Sequence, residues 1–324
     1  MAVLDMVGAL SSALKQEMKR DKTVLVLGED VGADGGVFRV TDGLQKEFGA
    51  LRCIDTPLAE TAIIGVSIGL AMNGMKPIAE AQFNGFSIPM LDQLVNHASR
   101  IRWRTRGQIS CPLVLRIPVG GRIRALEHHS DSPETYFAHT PGLKVVMPSN
   151  PYDAKGLLTA AIRDPDPVIF LEPLSLYRAI KQEVPDKPYE IPIGKASILR
   201  EGSHVTLISY GAMVHECLKA AASVGDKFSC EVIDLRTLKP IDIGTISASV
   251  EKTGRAIVVH EAPRNLGVGA EIVSQIVENN FSNLQAPIQR VTGFDTVLPM
   301  PKLEKYYLPN SEKIVKAINK VMAY

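Results

Sequence analysis

Uninterrupted apolar runs and helical stripes alternate along most of this chain. Val24-Leu25-Val26-Leu27 has no polar position, the pattern of a strand buried on both faces of a parallel sheet. Arg52-Cys53-Ile54, Pro77 to Ala81, Pro112 to Ile117, Leu143 to Pro148 and Val168 to Leu171 read as further strands. Between them the period lengthens to that of helices. Met6, Leu10, Leu14 and Met18 share one face of the N-terminal stretch, and Met90 to Ile101 and Pro151 to Arg163 form two more helices. Thr61 to Asn73 is rich in Ala, Ile and Gly and almost uncharged, so a helix buried all round is expected there.

The composition shifts at Ile180 to Pro192, where Pro185, Pro188 and Pro192 stand among charges, as in a linker. Alternation then resumes. Strands are expected at Val205 to Ser209, Glu231 to Asp234, Ala256 to His260 and Pro287 to Val291. The helices between and after them are Ala212 to Ala222, Gly269 to Glu278 and Ser311 to Met322. The expected fold class is α/β, with two doubly wound domains at 1–180 and 195–324 joined by a linker at 181–194. A chain of 324 residues is long enough for two cores.

Composition narrows the function classes. A net charge of +1 leaves no electrostatic footprint for nucleic acid or an anionic membrane surface. No apolar run reaches membrane-spanning length without Gly or a charge, and Met1 to Lys22 lacks the basic start and apolar core of a signal peptide. Cys53, Cys111, Cys217 and Cys230 are too far apart for a metal or redox pair, which fits free thiols in a reducing compartment. A cytoplasmic protein is expected.

Candidate chemistry gathers where predicted strands end. Glu29 and Asp30 follow the first strand, at the position where open α/β sheets carry ligands. In Asp55-Thr56-Pro57-Leu58-Ala59-Glu60, Thr56 suits an N-cap and Pro57 a first helical position, which puts Glu60 at the head of an apolar helix. A carboxylate there either complements the positive helix end or serves a site with a protonatable partner. Gly32 to Gly36 is expected to be a flexible loop without the spacing of a dinucleotide fingerprint. Gly120 to Ser132 reads as a Gly-led polar loop holding Arg122, Arg124, His128 and His129. Adjacent histidines point apart on a regular element, so a solvated loop and an acid/base imidazole both remain open.

Six stretches in this order carry more than generic information. They are Gly28-Glu29-Asp30-Val31, Gly35-Gly36-Val37-Phe38, Asp55 to Glu60, His129-Ser130, Pro151 to Leu158 and Val232 to Thr237. Together they resemble the β subunit of the thiamine-diphosphate-dependent E1 component of 2-oxo acid dehydrogenases, of the pyruvate or branched-chain type, over essentially the whole chain. The resemblance implies a pyrimidine-binding domain followed by a transketolase C-terminal-like domain. It makes Glu60 the acid that shares a proton with N1′ of the cofactor's aminopyrimidine, with burial raising its pKa. It also assigns Glu29, Leu58 and Phe86 to the cofactor and His129 to acid/base work toward substrate or lipoyl group, with His128 as the adjacent competitor.

Further implications concern ions and partners. Leu113, Ala161, Ile162, Asp164 and Asp166 match a potassium site of some relatives, formed mostly by backbone carbonyls, although Asp166 replaces a usual Asn and a solvated loop is an equal alternative. The Gly-Asp-Gly motif that binds magnesium in the family is missing here, so an α subunit would carry magnesium and half of the cofactor site in an α2β2 assembly. E2 lipoyl acyltransferase would take the acyl group from a small 2-oxo acid, with pyruvate favoured over branched-chain substrates. Acetoin dehydrogenase β chains share these motifs, and a non-catalytic scaffold subunit is the third expectation. Arg122 and Arg124 depart from the small residues usual in that loop; a carboxylate anchor and, as the commoner case, two exposed loop arginines are both open.

Overall fold

A computed structural model describes residues 1–324. The chain divides into two compact units, one of 1–119 with 136–193 and one of 120–135 with 194–324. In the first, β1 (Ala2–Leu4) is followed by β2 (Val24–Gly28), β3 (Cys53–Asp55), β4 (Lys76–Glu80), β5 (Val114–Val119), β6 (Lys144–Val146), β7 (Val168–Pro173) and β8 (Gln182–Val184). Strands β6-β7-β5-β4-β2-β3 lie side by side, all parallel. Every residue of β2, β5 and β7 is buried, as their unbroken apolar pattern requires. Helix Met6–Arg20 buries Met6, Leu10, Leu14 and Met18 completely and packs on helix Pro151–Arg163.

Several expectations need correction. The Pro-rich stretch is no free tether, because β8 within it pairs antiparallel with β1 and buries Val184. The helix expected over Met90 to Ile101 is broken into Leu91–Asn96, a 3-10 turn at Ala98–Arg100 and Ile101–Arg104. The helix after Thr56 begins at Glu60 itself, with Ala59 at the cap position. Thr56 caps nothing, and its hydroxyl is buried without a partner. Proline at 57 disfavours the helical conformation at the residue before it, so the chain stays extended until Ala59. Helix Glu60–Met72 is also not buried all round. Ile63, Ile64 and Ile68 face the core, whereas Val66 is 56% and Met72 44% exposed.

In the second unit the strands are β9 (Ser197–Arg200), β10 (Val205–Ser209), β11 (Cys230–Asp234), β12 (Thr237–Lys239), β13 (Ala256–Pro263) and β14 (Gln289–Gly293). The sheet order is β14-β13-β10-β11-β9, parallel except for β9, which runs antiparallel to β11. Helix Ser311–Val321 docks its Ile314, Ile318 and Val321 stripe into this unit and is capped by Asn310. No helix is long and apolar enough to cross a membrane.

Candidate active site

The carboxyl ends of β2, β3 and β4 build the first group of residues. Glu29 leaves β2 with both carboxylate oxygens buried and without a hydrogen-bond partner. Burial, then the charges of Glu60 and Asp30, push its pKa up. Glu29 and Glu60 are therefore electrostatic neighbours, and the carboxylate withdrawn from water is that of Glu29. Glu60, expected to be buried, is half-buried at the head of its helix because Thr61 and Ala62 beside it are exposed.

The loop between Asp30 and Phe38 is pinned rather than flexible. The Asp55 carboxylate accepts the backbone N–H groups of Gly32 at 2.5 Å and Ala33 at 3.0 Å. Burial alone would raise the Asp55 pKa, but those two donors and Gln45 hold it below the usual range. The Asp30 side chain accepts from Gln82 at 2.9 Å, tying the loop to the exit of β4. Phe38 then packs edge-on against Phe83 and Tyr177, at 5.3 and 5.5 Å between ring centres. Phe86 stands 6.2 Å from Phe83, again edge to face. Leu58 is 81% exposed, an apolar side chain at the site's edge that the chain itself does not cover.

Beneath these residues lies a charged cluster that the apolar pattern concealed. Arg116, on β5, is fully buried between two carboxylates on the flanking strands. Its Nε donates to Glu172 Oε1 at 2.7 Å and its Nη2 to Glu172 Oε2 at 2.8 Å, while Nη1 pairs with Glu80. The Tyr177 hydroxyl also donates to Glu172. The available signal was Arg116 and Glu172, the single charges of β5 and β7, with Glu80 at the end of β4.

His128 and His129 belong to the second unit, on a single helical turn, Glu127–Ser130. Their rings do not point apart; the centroids are 4.1 Å from each other at 35°. Burial, then His128, lower the His129 pKa against the pull of Glu127. Arg122 is not a free carboxylate anchor. Its Nη1 donates to Glu216 at 3.0 Å and its Nη2 to the Pro309 carbonyl at 2.9 Å.

The residues matched to potassium are engaged differently. Both Asp164 oxygens lie 2.7 Å from Lys144 Nζ, and Asp166 accepts from Arg102 at 2.5 Å. The Leu113 carbonyl accepts from Val168 at 2.9 Å and the Ala161 carbonyl from Asp164 at 3.3 Å, while Ile162 is buried. With cationic side chains on both carboxylates, an alkali ion here would depend on the backbone carbonyls, of which those of Leu113 and Ala161 each already accept one backbone N–H.

Comparison with known proteins places the chain in a family. The transketolase pyrimidine-binding domain model matches residues 2–180, and the transketolase C-terminal domain model matches residues 194–314. A pyruvate dehydrogenase E1 component subunit β from Acholeplasma laidlawii is 52% identical over 99% of this chain and 98% of its own. The one from Bacillus subtilis is 50% identical over 100% of both. The chain belongs to the family of pyruvate dehydrogenase E1 β subunits. A solved structure titled split gene transketolase, inactive β4 tetramer, shares the fold, with a TM-score of 0.81 over 99% of each chain at 21% identity.

Proposed function

We propose that this chain is the β half of a thiamine-diphosphate-dependent 2-oxo acid dehydrogenase E1, acting on pyruvate and passing the acyl group to a lipoyl carrier. The observation that carries this is the Glu29–Glu60 pair at the strand ends, in a chain half identical to pyruvate dehydrogenase β subunits throughout. The residues fit an aminopyrimidine. Glu29 holds two buried acceptor oxygens without partners, Glu60 stands beside it at a helix head, and Phe86 offers an aromatic face. When bound, thiamine diphosphate supplies the carbon nucleophile and electron sink for decarboxylation.

The chain's own contribution is to orient and to move protons. Glu60 holds a proton toward N1′ of the pyrimidine ring and takes it back. Glu29, buried beside it, is the carboxyl pushed toward its protonated form, by burial first and then by the charges of Glu60 and Asp30. Asp55, through Gly32 and Ala33, fixes the loop that roofs this corner. His129, whose pKa is lowered by burial and then by His128, is the acid/base group that would deliver a proton to the lipoyl sulfur released when its disulfide opens onto the acyl carbon.

Exposed Leu58, Val66 and Met72 around the head and outer face of helix Glu60–Met72 support a site completed by another chain. That chain is an α subunit, which brings the magnesium-binding motif this sequence lacks, in an α2β2 assembly. The test is co-expression with an α-type partner and assay of pyruvate, 2-oxoisovalerate and 2-oxoglutarate. Pyruvate decarboxylation should dominate; preference for 2-oxoisovalerate would move the substrate to the branched-chain class, and no activity with any of the three would overturn the function.

A further inference from the structure

The segment Gly120–Thr135 is covalently continuous with β5 yet packs with the second unit, where carboxylates hold its first foot and a tyrosine hydroxyl its second. Gly121 N–H donates to Glu261 at 3.0 Å and Arg122 N–H to Glu304 at 2.6 Å. The Arg122 guanidinium reaches Glu216, which also accepts Ser311 N–H at 2.8 Å, and the Pro309 carbonyl. At the other foot, the Tyr210 hydroxyl donates to Glu134 at 2.7 Å. The loop is closed on itself as well, because Gly120 N–H donates to the Asp131 carbonyl at 3.1 Å. His128 and His129 ride inside this closed loop.

Local backbone geometry fits a held conformation. Arg122 and Arg124 have φ of +72° and +57°, a region unfavourable for side chains other than glycine. The two glycines permit the approach of the anchors. A Cβ on Gly120, at φ +90°, would sit 3.0 Å from a Glu261 oxygen, and one on Gly121 would sit 2.9 Å from a Glu304 oxygen. The anchors come from three separate elements, helix Met213–Ser223, β13 and helix Pro301–Tyr307. A loop tied to three elements cannot drift with any one of them.

We infer that Arg122, with Glu216, Glu261 and Glu304, is a positioning device that sets where the His128–His129 turn stands for acyl transfer. This rests on the proposed function. The residues touch no reacting atom; they act through the loop. The departure of Arg122 from small loop residues is thereby given a role as a clamp in place of a substrate anchor.

The test uses the co-expressed complex with Arg122→Ala, Arg122→Lys and Glu304→Gln, assayed for dye-linked pyruvate decarboxylation and, separately, for acylation of a free lipoyl domain. Arg122→Ala should lower the acylation kcat by roughly 10²-fold, the scale of a misplaced catalytic group, and leave dye-linked turnover within about twofold. Arg122→Lys keeps one cationic contact and should recover much of the loss. Glu304→Gln keeps an acceptor oxygen and should be milder than Arg122→Ala. Limited trypsin digestion should cut faster after Arg124 in Arg122→Ala. Equal losses in both assays, or faster cleavage with unchanged acylation, would overturn the positioning role alone. A wild-type complex that decarboxylates no 2-oxo acid would overturn the function and, with it, the acyl-transfer role.

Discussion

At the scale of single residues, three carboxylates with similar sequence surroundings have different physical situations. Asp55 is satisfied by backbone donors, Glu29 is buried without partners, and Glu60 is half-buried. Of the Glu29–Glu60 pair, Glu60 is the accessible member. Glu60→Gln keeps size and hydrogen bonding but cannot cycle a proton. Turnover should fall by roughly 10²–10⁴-fold with cofactor affinity retained, measured by steady-state kinetics and titration calorimetry. Full activity of the variant would remove Glu60 from the mechanism. Arg116 illustrates the opposite role, structure without chemistry. Arg116→Met leaves Glu80 and Glu172 buried and uncompensated, so the chain should lose about 3–5 kcal/mol in denaturant unfolding. A loss below about 1 kcal/mol would mean that water or protonation satisfies the two carboxyls.

At the scale of elements, the anchored loop couples stability to pH through Glu134. Burial, opposed by the Tyr210 hydrogen bond and reinforced by Glu261, raises its pKa to about 7. A carboxyl raised in the folded state contributes stability that is complete below its unfolded value of about 4.5 and is lost as pH rises through about 7. Thermal melts of the wild type should therefore show a decline across that window, and Glu134→Gln should flatten it. Parallel curves for the two proteins would show that Glu134 does not titrate there. Helix Glu60–Met72 is the other element whose surface matters. Its inner Ile residues were legible from hydrophobicity, but hydrophobicity cannot tell a core face from one covered by another chain.

At the scale of the whole molecule, that uncovered face points to assembly. Val66→Glu places a charge on it without touching the core, since Val66 is 56% exposed. Assembly with the α partner should fail while the β chain keeps its circular dichroism, as read by size-exclusion chromatography; normal assembly would put the interface elsewhere. The C-terminal helix is docked, and Tyr324 beyond it is 67% exposed. The sequence by itself determined the α/β alternation, helix Pro151–Arg163 and strand Val205–Ser209 to the residue, and the family, because apolar period and ordered motifs are local properties. It also located Glu60, His129, Glu29, Leu58 and Phe86 as candidates, without their surroundings. Only the tertiary structure decided that Glu29 rather than Glu60 is the dry carboxylate, that Arg116 sits between two acids, and that Arg122 clamps a loop to Glu216 and Glu304. Those facts depend on which distant segments meet and how much water they exclude, and no period or spacing along the chain encodes either.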